Sequence, residues 1–185
     1  MAPNAWPATA NRDFLKAISL EQKAKSERVI ATITRSTDSD YWIMERTHGR
    51  AHVLRQNAVI KTELYLLDKT SYWRANGGAW IQQAVTHPLT VPLNPTVLFT
   101  DQLTGVQSGS DTTIGGKLAR NYTGSISWMS GGRSCSGTVS LAVTVATGLP
   151  TLMRVKGSCE SLAVSISEAF EYGVSIIIDA PSNKK

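Results

Sequence analysis

The sequence predicts an α+β domain built on a broad, curved antiparallel sheet, and three observations predict it. From 138 to 145 the chain alternates strictly, with Val139, Leu141, Val143 and Val145 on one face and hydroxyl or small residues on the other. That period of two belongs to a strand with one buried face. The alternation resumes over 151–155 and 161–169 beyond Thr147-Gly148-Leu149-Pro150, where Gly148 supplies the positive φ of a tight turn and Pro150 suits its edge. The first half adds a series of short alternating segments separated by turn signals, the mark of a meander of hairpins. No constellation of catalytic residues accompanies this pattern, so function lies in what the sheet encloses.

Taken in order, Asn11-Arg12-Asp13 caps a helix running to about residue 25, with Phe14, Leu15, Ala17 and Ile18 as a narrow apolar stripe. Such a helix is not stable alone and must lie on the sheet. From Arg28 the period becomes two, with Val29, Ala31 and Ile33 opposing Ile30, Thr32 and Thr34. Further strands are expected over 41–47, 51–56, 59–67, 71–74 and 79–83. Turn signals separate them at Asp38-Ser39-Asp40, His48-Gly49, Asp68-Lys69 and Asn76-Gly77-Gly78. The prolines of His87-Pro88-Leu89-Thr90-Val91-Pro92-Leu93 make an extended loop. Asn94-Pro95 then gives an N-cap and a first-turn proline, opening a short central helix over 96–103 that ends near Gly105. Strands return after Asp111, first over 117–128 and then, past Ser130-Gly131-Gly132, in the long hairpin. A last strand is expected over 173–179, closing at Ala180-Pro181. Residues 1–10 read as a flexible tether or the start left after an export signal is removed, 11–181 as one domain, and 182–185 as a disordered tail.

Composition narrows the function. A chain of 185 residues is one domain with room for a sizeable core. No apolar run approaches the roughly 20 residues that span a membrane. The net charge of +5 comes from scattered Lys and Arg, adjacent only at Lys184-Lys185, whereas nucleic-acid binding calls for a clustered basic patch. The two cysteines are either free thiols or a disulfide, and the hairpin register favours the disulfide. With the tip at Thr147-Gly148, facing residues sum to about 295, so Cys135 falls opposite Glu160 and a single bulge brings it opposite Cys159. A disulfide places the protein in an oxidising, extracytoplasmic compartment.

The N-terminal helix, the meander and a set of motifs together resemble a known family. The motifs are Asn94-Pro95, the run Ile114-Gly115-Gly116-Lys117-Leu118-Ala119-Arg120-Asn121-Tyr122-Thr123-Gly124, Thr147-Gly148-Leu149-Pro150, and Phe170-Glu171-Tyr172-Gly173-Val174 followed by Ala180-Pro181. In element order nearly the whole chain is similar to the LolA/LppX/LprG-like lipoprotein carriers, and the specific motifs lie between Asn94 and Pro181. The resemblance implies an incomplete antiparallel β-barrel whose helices cover an apolar cavity. It also implies a periplasmic or otherwise extracytoplasmic carrier of lipid or lipoprotein acyl chains, with no catalysis and no cofactor. Partners would be lipid or acylated lipoprotein, and a membrane-bound envelope protein; the carrier would act as a monomer. Related domains act instead as envelope sensors or protein-interaction modules, the alternative for this chain.

The apolar members of the alternating strands and the central helix are the candidate cavity lining: Ile43, Val53, Leu64, Leu66, Val97, Leu98, Leu103, Leu118, Ile126, Leu141, Val143 and Val145. Each serves equally as ordinary core, and a one-residue slip in register inverts the faces. Other signals are weaker. His48, His52 and His87 have no cysteine or carboxylate cluster at metal-ligand spacing and read as solvated or structural. Asp38, Asp40 and Glu45 read as turn caps. The serines around Cys135 lack a nucleophile-elbow setting, and Gly115-Gly116-Lys117 lacks the frame of a phosphate loop. Tyr72, Trp73 and Trp80 are expected to pack across the Asn76-Gly77-Gly78 hairpin as cross-strand aromatics.

Overall fold

A computed structural model describes residues 6–36, 38–47, 49–85, 102–130 and 132–181. The helix α1 (Trp6–Gln22) precedes eleven strands. These are β1 (Ser26–Arg35), β2 (Asp38–Thr47), β3 (Arg50–Gln56), β4 (Lys61–Leu67), β5 (Thr70–Ala75), β6 (Ile81–Ala84), β7 (Leu103–Ile114), β8 (Lys117–Ser130), β9 (Arg133–Thr144), β10 (Pro150–Cys159) and β11 (Leu162–Tyr172). They form one sheet in the order β6-β5-β4-β3-β2-β1-β11-β10-β9-β8-β7, antiparallel throughout, and β6 and β7 are its two edges. The strand β1 joins the two runs of hairpins by pairing with β2 on one side and β11 on the other.

The inner face is the one that α1 covers. Phe14, Ala17 and Ile18 of α1, which lies closest to β7, belong to one buried cluster with Val29, Ala31 and Ile33 of β1, Val106 of β7, Val139 and Leu141 of β9, Met153 and Val155 of β10, and Ile166 of β11. Burial of an aliphatic or aromatic side chain contributes about 1.5–3 kcal/mol, so the stripe on α1 holds the helix to the sheet more than its intrinsic propensity does. The helix starts five residues before the expected cap, and Lys23 and Ala24 close its last turn through bonds of 3.2 and 2.9 Å.

The long hairpin is where expectation and structure agree most closely. Gly148 takes φ +72°, and the tip is closed by Gly148 N–H donating to the Thr144 carbonyl at 2.8 Å. Register shifts between Pro150 and Leu152, which sets Cys159 directly opposite Cys135, and the two form a disulfide. Next to it Gly137 faces Gly157, and a Cβ on either would run into the backbone of the other strand.

Other expectations are corrected. The strand expected over 59–67 begins at Lys61, because the Asn57 side chain accepts from Val59 and Ile60 N–H at 2.9 and 2.8 Å and turns the chain there. The central helix expected over 96–103 falls mostly outside the described residues, and Leu103 opens β7 instead. That strand is the largest omission: Ser, Thr and Gly dominate 104–113 and hide its period. The closing strand expected over 173–179 does not form. Gly173 has φ +68°, and β1 starts at Ser26, whose carbonyl accepts from Gly173 N–H at 3.4 Å, so no strand remains to pair beyond it. The segment is nonetheless held, with Ile178 buried and its carbonyl accepting from Arg50 at 3.1 Å.

Candidate ligand-binding pocket and the two faces of the sheet

One cross-strand row runs across the inner face from β11 to β6: Phe170, Val29, Met44, Val53, Leu64, Trp73 and Ile81. Its burial is graded. Met44 is 2% exposed, Val53 and Leu64 are intermediate, Trp73 is 41% exposed and Ile81 49%. The same apolar period is therefore packed core beneath α1 and half-open apolar surface on β3–β6. Trp42, also on this face, is covered by the Arg55 guanidinium 5.2 Å from its ring.

A pocket of about 840 Å³ opens where β8 begins and β9 and β11 end, near the β9–β10 turn. Leu118, Val145, Leu149, Phe170, Tyr172 and Val174 supply its apolar lining, and Lys117, Thr144, Thr147, Thr151 and Glu171 its polar atoms. Leu118 and Val145, at 53% and 48% exposed, are large apolar side chains left open to it. Its wall is internally satisfied, with Val145 N–H donating to the Leu118 carbonyl at 3.0 Å and Thr144 N–H to that of Leu149 at 2.9 Å. The size lies within the roughly 300–1,000 Å³ typical of small-molecule sites.

The predicted lining residues divide among these regions. Leu118 and Val145 line the pocket. Val53, Leu64 and Leu66 lie half-buried on the inner face of β3 and β4. Ile126, Leu141 and Val143 are inside the core, and Leu103 packs against it. Ile43 pairs with Ile30 and Leu54, one position out of phase with Met44, so it points to the outer face. Val97 and Leu98 lie outside the described residues, as do His48 and His87. Leu149, Phe170, Tyr172 and Val174 escape a strand-by-strand reading because a turn and a separate strand end assemble them; the motifs at Thr147–Pro150 and Phe170–Val174 were the available signal.

Polar groups are buried at the inner face as well. Arg46 donates to the Glu21 carbonyl at the end of α1 at 2.9 Å and to Glu27 Oε2 at 2.8 Å, and reaches Glu21 Oε1 at 3.7 Å. Both carboxylates are almost fully buried, at 2% and 4% exposed, against this single guanidinium. Burial, and then the charge of Glu21, push Glu27 up to about 8. Burial also raises Glu21, and burial followed by the charges of Glu27 and Glu21 raises Tyr172.

The outer face of β1–β6 is an ion-pair lattice. His52 Nδ1 lies 3.1 Å from Glu45 Oε2 and its Nε2 3.1 Å from Glu63 Oε1. Arg28 joins Glu45 to Glu171, and Arg74 holds Glu63 at 2.7 Å. Burial works to raise Glu45 and Glu63, yet hydrogen bonds from His52 and the arginines hold both below the usual carboxylate range. The His52 ring stacks on Tyr65 at 4.4 Å, Tyr65 meets Trp80 edge-on, and Arg74 lies 4.3 Å over Trp80. Trp80 thus packs on β4 and β5, while Trp73 faces Ile81 on the inner side, so the expected Tyr72–Trp73–Trp80 cluster is split between faces. Asp40 is no turn cap: it is buried in β2 and bound by Arg35, Arg55 and Asn57. Glu45 likewise sits within β2. Among the described residues no group of three or more His, Cys, Asp or Glu is arranged to hold a metal, and no helix is long and apolar enough to cross a membrane.

No family model and no curated protein sequence matches the chain. Solved structures do. It is similar to the lipoprotein LppX of Mycobacterium tuberculosis, with TM-score 0.64 and 11% identity over 93% of this chain and 99% of LppX. LprF of Mycobacterium bovis matches with TM-score 0.63 and 14% identity over 97% and 100%. MucB matches with TM-score 0.51 and 14% identity, covering 95% of this chain but 64% of MucB. With one helix laid on an unclosed antiparallel sheet, and with LppX and LprF matched over nearly their whole lengths, the chain has the fold of LppX and LprF.

Proposed function

We propose that the protein is an extracytoplasmic carrier that binds lipid, or the acyl chains of lipoproteins, on apolar surface and catalyses no reaction. The observation that carries this reading is the pocket of about 840 Å³ with Leu118 and Val145 left open to it. The half-open inner face at Val53, Leu64 and Leu66 offers a second stretch of apolar surface on the sheet. Each methylene removed from water contributes about 0.8 kcal/mol, so ten methylenes would contribute about 8 kcal/mol without any polar catalyst. The Cys135–Cys159 disulfide supports an oxidising compartment. The fold shared with LppX and LprF is compatible with carriage.

The test is native mass spectrometry of gently purified protein, followed by solvent extraction and lipid identification. A near-stoichiometric lipid, lost in folded Leu118→Trp and Val145→Trp variants, is the expected result. Equal lipid content in wild type and both variants would remove the pocket as the site. A second reading, a protein-interaction or sensor domain, is favoured by one feature: the sheet is unclosed, and its edge strand β6 is exposed along all four residues. Such an edge accepts an added strand from a partner.

A further inference from the structure

The outer face of β7–β10 differs from the lattice on β1–β6. Its register sets two polar rows side by side: Gln107, Thr123, Ser140 and Arg154 in one, Ser125, Thr138 and Lys156 in the next. Arg154 and Lys156 are two residues apart on β10, so both side chains leave the same face about 7 Å apart along the strand. With Thr123, Ser125, Thr138 and Ser140 they line a shallow pocket of about 590 Å³. No carboxylate lines it, and the next positions on β11 are Ser167 and Ser165. Among the described residues neither cation makes an ion pair, although Arg28, Arg35, Arg46, Arg55, Arg74 and Arg120 each pair with a carboxylate. Thr138 donates to the Lys156 carbonyl at 3.5 Å, leaving the Thr123, Ser125 and Ser140 hydroxyls directed at the pocket without partners among the described residues.

Two uncompensated cations among hydroxyl donors, with no aromatic ring to stack on, match a tetrahedral oxyanion with several acceptor oxygens. A guanidinium takes two such oxygens in parallel, an ammonium adds charge, and hydroxyls complete the shell. We infer that Arg154 and Lys156, with the hydroxyls of Thr123, Ser125 and Ser140, form a binding site for a phosphate ester on the outer face. The ester is either the headgroup of an anionic phospholipid or a soluble molecule. This site is separate from the apolar pocket and stands whether or not that pocket carries lipid.

The full chain is titrated at low salt with glycerol 3-phosphate and with glycerol. In parallel it is floated with vesicles of phosphatidylglycerol or of phosphatidylcholine. Wild type is compared with an Arg154→Ser/Lys156→Ser double variant, whose exposed positions leave the core untouched and whose unfolding midpoint checks the fold. Expected is saturable binding of the phosphate ester but not of glycerol, at least tenfold weaker in the double variant and weakened by salt. Co-flotation with phosphatidylglycerol alone, lost in the variant, assigns the headgroup as the source; binding of the soluble ester without flotation assigns a soluble one. Equal binding by variant and wild type, or no phosphate-dependent binding in either arm, overturns the site.

Discussion

The two halves of this sheet are written in the same alternating code and are used differently. In β7–β11 most of the inner face is packed core, with Leu141 and Val155 fully buried, and it opens only at the pocket beside Leu118 and Val145. In β3–β6 equivalent apolar positions remain half-open, and the row from Met44 to Ile81 loses burial strand by strand. The outer faces reverse the contrast. The N-terminal half neutralises its own charges in an Arg–Glu–His lattice, while the C-terminal half leaves Arg154 and Lys156 uncompensated among hydroxyls. Stability is therefore concentrated where the inner face is covered, and unsatisfied chemistry marks the surfaces available to ligands.

The largest expected effect tests the covered half. Replacing both Cys135 and Cys159 with Ser opens a loop spanning a sequence separation of 24 and should lower stability by about 3.5 kcal/mol in urea unfolding. A loss below about 1 kcal/mol would mean that the β9–β10 hairpin holds itself without the bridge. Leu141→Ala, at a position with no exposure, should cost about 3 kcal/mol through lost burial and a residual cavity.

The seam between α1 and the sheet should respond to pH. Glu27 is raised from its unfolded value to about 8, so between about pH 4.5 and 8 the folded state holds a proton that the unfolded state has released. Stability from this group is thus greatest below the unfolded value and falls as pH rises through that window, on the order of 1 kcal/mol per pH unit at most. Glu27→Gln should flatten the slope and leave the variant more stable than wild type at pH 8. An unchanged slope would show that the Glu21–Glu27–Arg46 cluster does not hold the proton. The smallest effect belongs to the open half: Leu64→Ala should cost under about 1 kcal/mol, because its side chain is already partly in water. A cost equal to that of Leu141→Ala would erase the contrast between the halves.

Much of this architecture was legible residue by residue. Val139, Leu141, Val143 and Val145 announce their strand, and the tip at Gly148 with one bulge predicts the Cys135–Cys159 pair, because hairpin register follows from turn position. Two elements escaped for opposite reasons. The strand β7 is written in Ser, Thr and Gly and carries no apolar period, being an edge whose pairing with β8 sustains it. Residues 173–179 carry an apolar period but find no strand to pair with. Within the pocket, Leu118 and Val145 belong to alternating strands, whereas Leu149 and Val174 come from a turn and a strand end brought together by the sheet.

By itself, then, the sequence determined most of the strands and the hairpin register that favours the covalent bridge, since each depends on neighbours along the chain or across one hairpin. Only the tertiary structure decided which apolar positions became core and which became open surface. That choice rests on where α1 lies, and α1 is placed by contacts with strands more than 80 residues away in the chain. The same long-range placement brought Glu21 against Glu27 and Arg46, and aligned β7 to β10 so that hydroxyls from separate strands surround Arg154 and Lys156. Local periodicity encodes a side chain's face; burial and charge compensation are properties of the whole sheet and its helix.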